Sequence, residues 1–130
     1  MGAAVPHGQS FPRAHRLGGD LAFKHVFDSR HRRESGPLLV YGCPNGLSHS
    51  RLGLSVGRRV GGAVRRTLVK RRIREAFRTR PGREIPGFDL VVVVRPHGPL
   101  RFDDYRRHLE NAMGRVVNEW HHARDRSQRS

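Results

Sequence analysis

The run Ser55–Arg78, SVGRRVGGAVRRTLVKRRIREAFR, constrains the fold more than any other stretch of the chain. It places the end of a strand, a glycine-rich bend and a long helix in immediate succession. Arg51–Val56 (RLGLSV) reads as the strand. Leu52, Leu54 and Val56 alternate there with Gly53 and Ser55, so one face is apolar and the other open. Gly57, Gly61 and Gly62 then flank Arg58, Arg59 and Val60. The helix is predicted over Ala63–Arg78 and stops before Pro81-Gly82. Val69, Ile73, Ala76 and Phe77 face one way on it, toward a core. Further on, Asp89–Arg95 (DLVVVVR) is an uninterrupted apolar run between Pro86-Gly87 and Pro96, the pattern of a strand buried on both faces. Strand, helix and strand make a βαβ unit, whose crossover the usual rule makes right-handed.

The flanking segments complete an α+β domain, one sheet of about four strands covered by three helices. A first helix is predicted from Asp20, as N-cap, through LAFKHVFDSR. Leu38–Cys43 reads as a strand, and Pro44-Asn45-Gly46 supplies turn chemistry before Arg51. The last helix begins near Asp103 or Asp104. Tyr105, Leu109, Ala112, Met113, Val116 and Trp120 form its apolar stripe. Residues 1–16 have no periodicity and read as a flexible arm, 17–122 as the domain, and 123–130 as a frayed polar tail. A chain of 130 residues buries one modest core.

Charge sets the direction for function. The net charge is +15, and residues 51–80 hold eleven Lys/Arg against one acid, Glu75. Arg66, Lys70 and Arg74 recur every fourth residue on one helix face. Arg71 and Arg78 widen that stripe, and Arg65 and Arg72 flank it. Like charges at this spacing repel and destabilise an isolated helix. A merely solvated face would mix acids among them, so a single-signed field points to a polyanion. Arg far outnumbers Lys, which suits bidentate phosphate contacts and stacking on bases. The bend matches neither GxxxxGK[ST] nor GxGxxG. It reads either as a tight turn or as a backbone approach to phosphate, aided by Arg58 and Arg59.

Phe23 and Phe27 share one face of the first helix, and Tyr41 follows on a strand. Two readings stand for them. They are core, or they stack on unpaired bases while Ala22 and Val26 face the core. No catalytic constellation is visible. Nine histidines are scattered, and one cysteine, Cys43, builds neither a disulfide nor a zinc site. Asp103 and Asp104 read as caps rather than paired catalytic acids. No apolar run is long enough to span a bilayer, and the N-terminus MGAAVPHGQS is not a secretory signal, so a cytoplasmic location is expected.

Taken together, these segments resemble the protein subunit of bacterial ribonuclease P. The resemblance runs from about Phe11 to Val117. It rests on FPRAHRL, the phenylalanine pair in AFKHVF, LLVYGCPNGL, RLGLSVGRRVGGAV, VKRRIREAFR, DLVVVVRP and the final amphipathic helix. It implies a fold like one domain of a small-subunit ribosomal protein, with a left-handed βαβ crossover against the usual rule. It also implies a partner, the ribonuclease P RNA subunit, and a substrate, precursor tRNA. The RNA would remove the 5′ leader with bound Mg²⁺, and the protein would supply no catalytic residue and no metal site of its own.

By position, the resemblance puts Phe23, Phe27, Tyr41 and Ser55 at the single-stranded leader. It puts Arg58, Arg59, Arg66, Lys70, Arg71 and Arg74 at RNA. The chain departs from the family at one place. Arg66-Thr67-Leu68 stands where the family usually has Arg-Asn-Arg. Leu68, without charge, is assigned no RNA contact, and the adjacent Arg65 is the candidate replacement. The alternative from another class is a structural RNA-binding protein of ribosomal or assembly-factor type.

Overall fold

A computed structural model describes residues 13–81 and 87–129, with side chains to Arg124. Positions 1–12 of the arm, and Gly82 and Pro86 of the two proline-glycine boundaries, lie outside the described residues. The chain order is α1 (Asp20–Asp28), β1 (Arg32–Ser35), β2 (Leu38–Pro44), β3 (Arg51–Val56), α2 (Ala63–Arg78), β4 (Phe88–Val94) and α3 (Phe102–Arg129). The four strands lie in the order β1-β2-β4-β3. β1 and β2 are antiparallel, as are β2 and β4, while β3 and β4 are parallel neighbours joined through α2. β4 is therefore central, and every residue of it but the half-buried Val93 is buried, as an unalternating apolar run requires.

Side chains alternate across a sheet, so the strands present two faces. On one, Leu38, Val40, Leu52, Leu90, Val92 and Val94 meet Val69, Ile73, Ala76 and Phe77 of α2 and Tyr105, Leu109, Ala112, Met113 and Val116 of α3. This is the main core. On the other, Cys43 and Val91 are sealed by Leu17 and by Val26 of α1, with Phe23, Phe27, Tyr41 and Val93 half-buried around them. With nine residues, α1 spans only about 13 Å. It leaves the far part of this face open.

Several boundaries differ from the sequence reading. Gly19, at φ 90, precedes α1, and Asp20 is its first helical residue rather than its cap. The helix ends at Asp28 because Arg30 takes a left-handed φ of 64 that no α-helix continues through. β1 (RRES) was not legible as a strand. It is an edge strand with no apolar alternation, held by pairing with β2 and by Arg33 and His31 on Glu119 of α3. Neither Asp103 nor Asp104 precedes α3, which starts at Phe102. Asp104 instead reaches back from the first turn, its Oδ2 accepting the Arg101 N–H at 3.0 Å. The backbone stays helical to Arg129, across the stretch read as a tail. Arg13–His15 form one 3₁₀ turn, and Arg16 bridges to Leu52, so this last part of the arm runs along the outer edge of β3.

The turn between β2 and β3 is organised by one carboxylate. Asp89, buried on β4, accepts two hydrogen bonds from Arg51, Nε to Oδ1 at 2.8 Å and Nη2 to Oδ2 at 2.7 Å. Asn45 adds a third at 2.9 Å, while its own Oδ1 accepts the Leu47 N–H. This explains the Pro44-Asn45-Gly46 signal: Gly46 takes φ 73, and Asn45 folds the turn onto the strand beside it.

Candidate nucleic-acid interface

The strand register determines what lines the open sheet face. Tyr41, Val91 and Gly53 form one row across β2, β4 and β3, and Leu39, Val93 and Ser55 form the next. Ser55 is exposed, and Leu39 and Val93 are half-buried. Phe23 packs against the first row at Gly53. A Cβ on Gly53 would come within 2.6 Å of its ring, so glycine here is what lets the ring settle on the strand. Phe27 meets Phe23 edge-on at 6.4 Å and Tyr41 at 4.8 Å between ring centroids. Arg32 of β1 closes this row, Nη1 donating to Tyr41 Oη at 3.1 Å. Phe23, Phe27, Tyr41 and Ser55 are thus brought together on one surface. The rings are neither core nor free. Val26 does the sealing, and the phenylalanines keep an accessible side.

The cations of α2 separate into two groups by helical position. Arg65 and Arg72 turn toward α3 and are consumed by the chain itself. Arg65 Nε donates to Val60 O at 2.9 Å, and its Nη2 donates to His97 O at 2.5 Å and Gly98 O at 3.2 Å. Arg72 donates to Leu100 O at 3.1 Å. Arg65 therefore ties the start of α2 to the segment after β4, and its fork is not turned outward as a replacement for the missing arginine at Leu68.

Arg66, Lys70 and Arg74 lie on the opposite flank. Arg66 spends only Nε, on Gly61 O at 3.2 Å. Burial lowers the pKa of Arg74 below its ordinary value, and the charge of Arg16 adds to the effect. A half-buried cation pressed by a second cation is relieved by an anion. Arg16 thus extends the row toward β3. The sequence left Arg16 in the arm, and its one local signal was adjacency to the apolar Leu17, which is buried. Arg71 is exposed on the outer face, and Arg58 and Arg59 are exposed on a 3₁₀ turn anchored by buried Val60.

Carboxylates do not offset this field. Among the described acids, all but Asp20 sit within ion-pair distance of a basic side chain. The pairs include Asp28 with Lys24, Glu34 with Arg95, Glu75 with Arg78, Asp89 with Arg51, Asp104 with Arg107 and Glu119 with Arg33. None of these carboxylates lies against Arg58, Arg59, Arg66, Lys70 or Arg71. The described residues hold no group of three or more His, Cys, Asp or Glu that would bind a metal, and no described helix is long and apolar enough to cross a membrane.

Cys43 is buried and unbridged, and burial, helped by Asp89, pushes its thiol up to about 11. At pH 8 this leaves roughly 100-fold less thiolate than an ordinary cysteine holds. A maleimide is expected to leave the folded protein unlabelled at pH 8 and to label it fully in denaturant. Rapid labelling of the folded chain would contradict the burial of this side chain.

Residues 11–117 match the family model described as Ribonuclease P. The ribonuclease P protein component of Methylococcus capsulatus is 40% identical over 97 residues, covering 73% of this chain and 75% of that one. That of Chromobacterium violaceum is 45% identical over 83 residues, covering 63% and 68%. Among solved structures, the RNase P protein of Staphylococcus aureus superposes with a TM-score of 0.69 at 30% identity, covering 78% of this chain and 94% of that one. The RNase P protein from Thermotoga maritima gives 0.65 at 32% identity, covering 74% and 92%. A mixed four-stranded sheet with three helices, the same fold in solved relatives and a match over most of the sequence converge on one assignment: the chain belongs to the ribonuclease P protein family.

Proposed function

We propose that the chain serves as the protein subunit of ribonuclease P by holding the single-stranded 5′ leader of precursor tRNA on its open sheet face while its basic helix lies against the RNA subunit. The observation that carries this reading is the juxtaposition of Phe23, Phe27 and Tyr41 on a partly open sheet with a cation row along α2. Single-stranded nucleic acid needs both parts. Rings offer π-faces to unpaired bases whatever their sequence, and cations track the phosphates. Ser55 adds a hydroxyl on the sheet floor. Arg66, Lys70 and Arg74 make the phosphate rail, and Arg58, Arg59 and Arg71 extend the positive surface toward the RNA subunit.

The cut itself belongs to the RNA subunit, which with the substrate holds Mg²⁺. The described carboxylates other than Asp20 do not fit a dedicated Mg²⁺ cage, because Mg²⁺ sites need carboxylate and water oxygens and these carboxylates already lie beside cations. Cys43, raised and buried, suits no nucleophilic role. A buried, unbridged cysteine is at home in the reducing cytoplasm, where we place the protein.

Comparing precursor with mature tRNA tests the leader assignment. In the reconstituted holoenzyme, Tyr41→Ala is expected to weaken precursor binding about tenfold and mature tRNA binding little, since only the precursor has a leader to stack. Equal losses for both would assign Tyr41 a role in the fold instead.

A further inference from the structure

Beside its cations, α2 carries an apolar patch that the phosphate rail does not use. Val64 and Leu68, four residues apart on the outer face, are 86% and 41% exposed. With Ala63, Thr67 and Arg71 they line an open depression of about 380 Å³. A helix that advertises only charge would have polar side chains there.

We infer that this depression receives one unpaired nucleobase of the RNA subunit, with Arg71 at its rim taking the adjoining phosphate. The inference rests on the proposed function. Charge selects the occupant. A second copy of the chain also carries +15, and the neighbouring cations would repel it. The patch is also far smaller than the roughly 800 Å² per partner of a stable protein interface. A flat apolar group attached to a phosphate chain satisfies both conditions. In an RNA helix the bases are stacked and the grooves present edges, so the fitting base is one from a loop or bulge. Without charge, Leu68 has no phosphate to neutralise. Its exposure beside Arg71 gives it an apolar contact in place of an ionic one.

The two contacts have different salt signatures. An apolar contact releases no counterions, whereas each phosphate contact adds about 0.7 to the slope of log affinity against log salt for single-stranded RNA. Affinity of the full chain for the ribonuclease P RNA is measured from 50 to 200 mM salt. The double variant Val64→Ser/Leu68→Ser is expected to bind about tenfold more weakly at every salt concentration with an unchanged slope. Arg71→Ala is expected to flatten the slope by about 0.7. A Leu68→Cys variant labelled with a photoreactive thiol reagent, Cys43 being buried, should crosslink to an unpaired nucleotide. Unchanged affinity of the double variant, a loss that appears as a change of slope, or crosslinks confined to paired nucleotides would each overturn the inference. Unchanged RNA affinity together with capture of an acidic protein through Val64 and Leu68 would overturn it in favour of a protein partner. If the wild-type chain itself fails to bind the RNA, the proposed function fails and this inference falls with it.

Discussion

Replacing Arg66, Lys70 and Arg74 together by alanine is expected to halve the salt dependence of RNA binding. Six cations, these three with Arg58, Arg59 and Arg71, pair with no carboxylate among the described acids. Six phosphates neutralised on a single strand give a slope near −4, so affinity falls about 300-fold between 50 and 200 mM salt. Three give a slope near −2 and a fall of about 20-fold. The fold should tolerate the change. Among the described residues, Lys70 and Arg74 make no side-chain hydrogen bond, and Arg66 makes one, to a turn carbonyl. Removing Arg74 also relieves a half-buried cation held close to Arg16. Salt titrations of wild type and triple variant decide the matter. An unchanged slope would mean that the rail lies away from the RNA.

These residues also show how far sequence could see. The limits of α2 were legible because glycines mark its start and its buried stripe repeats with helical period. The stripe Val69, Ile73, Ala76 and Phe77 is buried as the spacing predicts. Which arginines face outward was only half legible. Arg66, Lys70 and Arg74 follow from spacing alone. Arg65 does not, because its partners at His97 and Gly98 lie more than thirty residues away and belong to a segment without periodicity. β1 was hidden for a related reason. An edge strand of Arg, Arg, Glu and Ser has no apolar face to alternate, so only its pairing with β2 reveals it. The phenylalanines of α1 were ambiguous in sequence because helical spacing gives a direction and not a cover. Val26 is sealed while Phe23 and Phe27 are half-covered, since α1 is too short to close the face.

Asp89→Ala is expected to destabilise the fold strongly. It would leave Arg51 without its partner and strip Asn45 of one acceptor, loosening the turn that sets β3 against β4. Removing one member of a buried pair costs about 3–5 kcal/mol. Arg51 remains partly exposed, with 35% of its side chain accessible, so we place the loss near 3 kcal/mol, or a fall in Tm of about 10–15 °C. The pair is expected to serve geometry more than stability. Arg51→Met with Asp89→Leu should recover most of the loss, because apolar side chains of similar volume avoid the desolvation of two charges. Thermal unfolding of the single and double variants checks both statements. A double variant as unstable as Asp89→Ala would show that the loss lies in the broken turn rather than in the stranded charge.

In the proposed function this chain assists an RNA catalyst by holding the leader. The most direct test is reconstitution with the ribonuclease P RNA of the same organism at low Mg²⁺, following cleavage of a precursor tRNA with a single-stranded 5′ leader. Added protein is expected to raise the cleavage rate strongly, and shortening the leader so that it no longer reaches the sheet face should remove much of that gain. A rate that the protein never increases, whatever the leader length, would contradict the account.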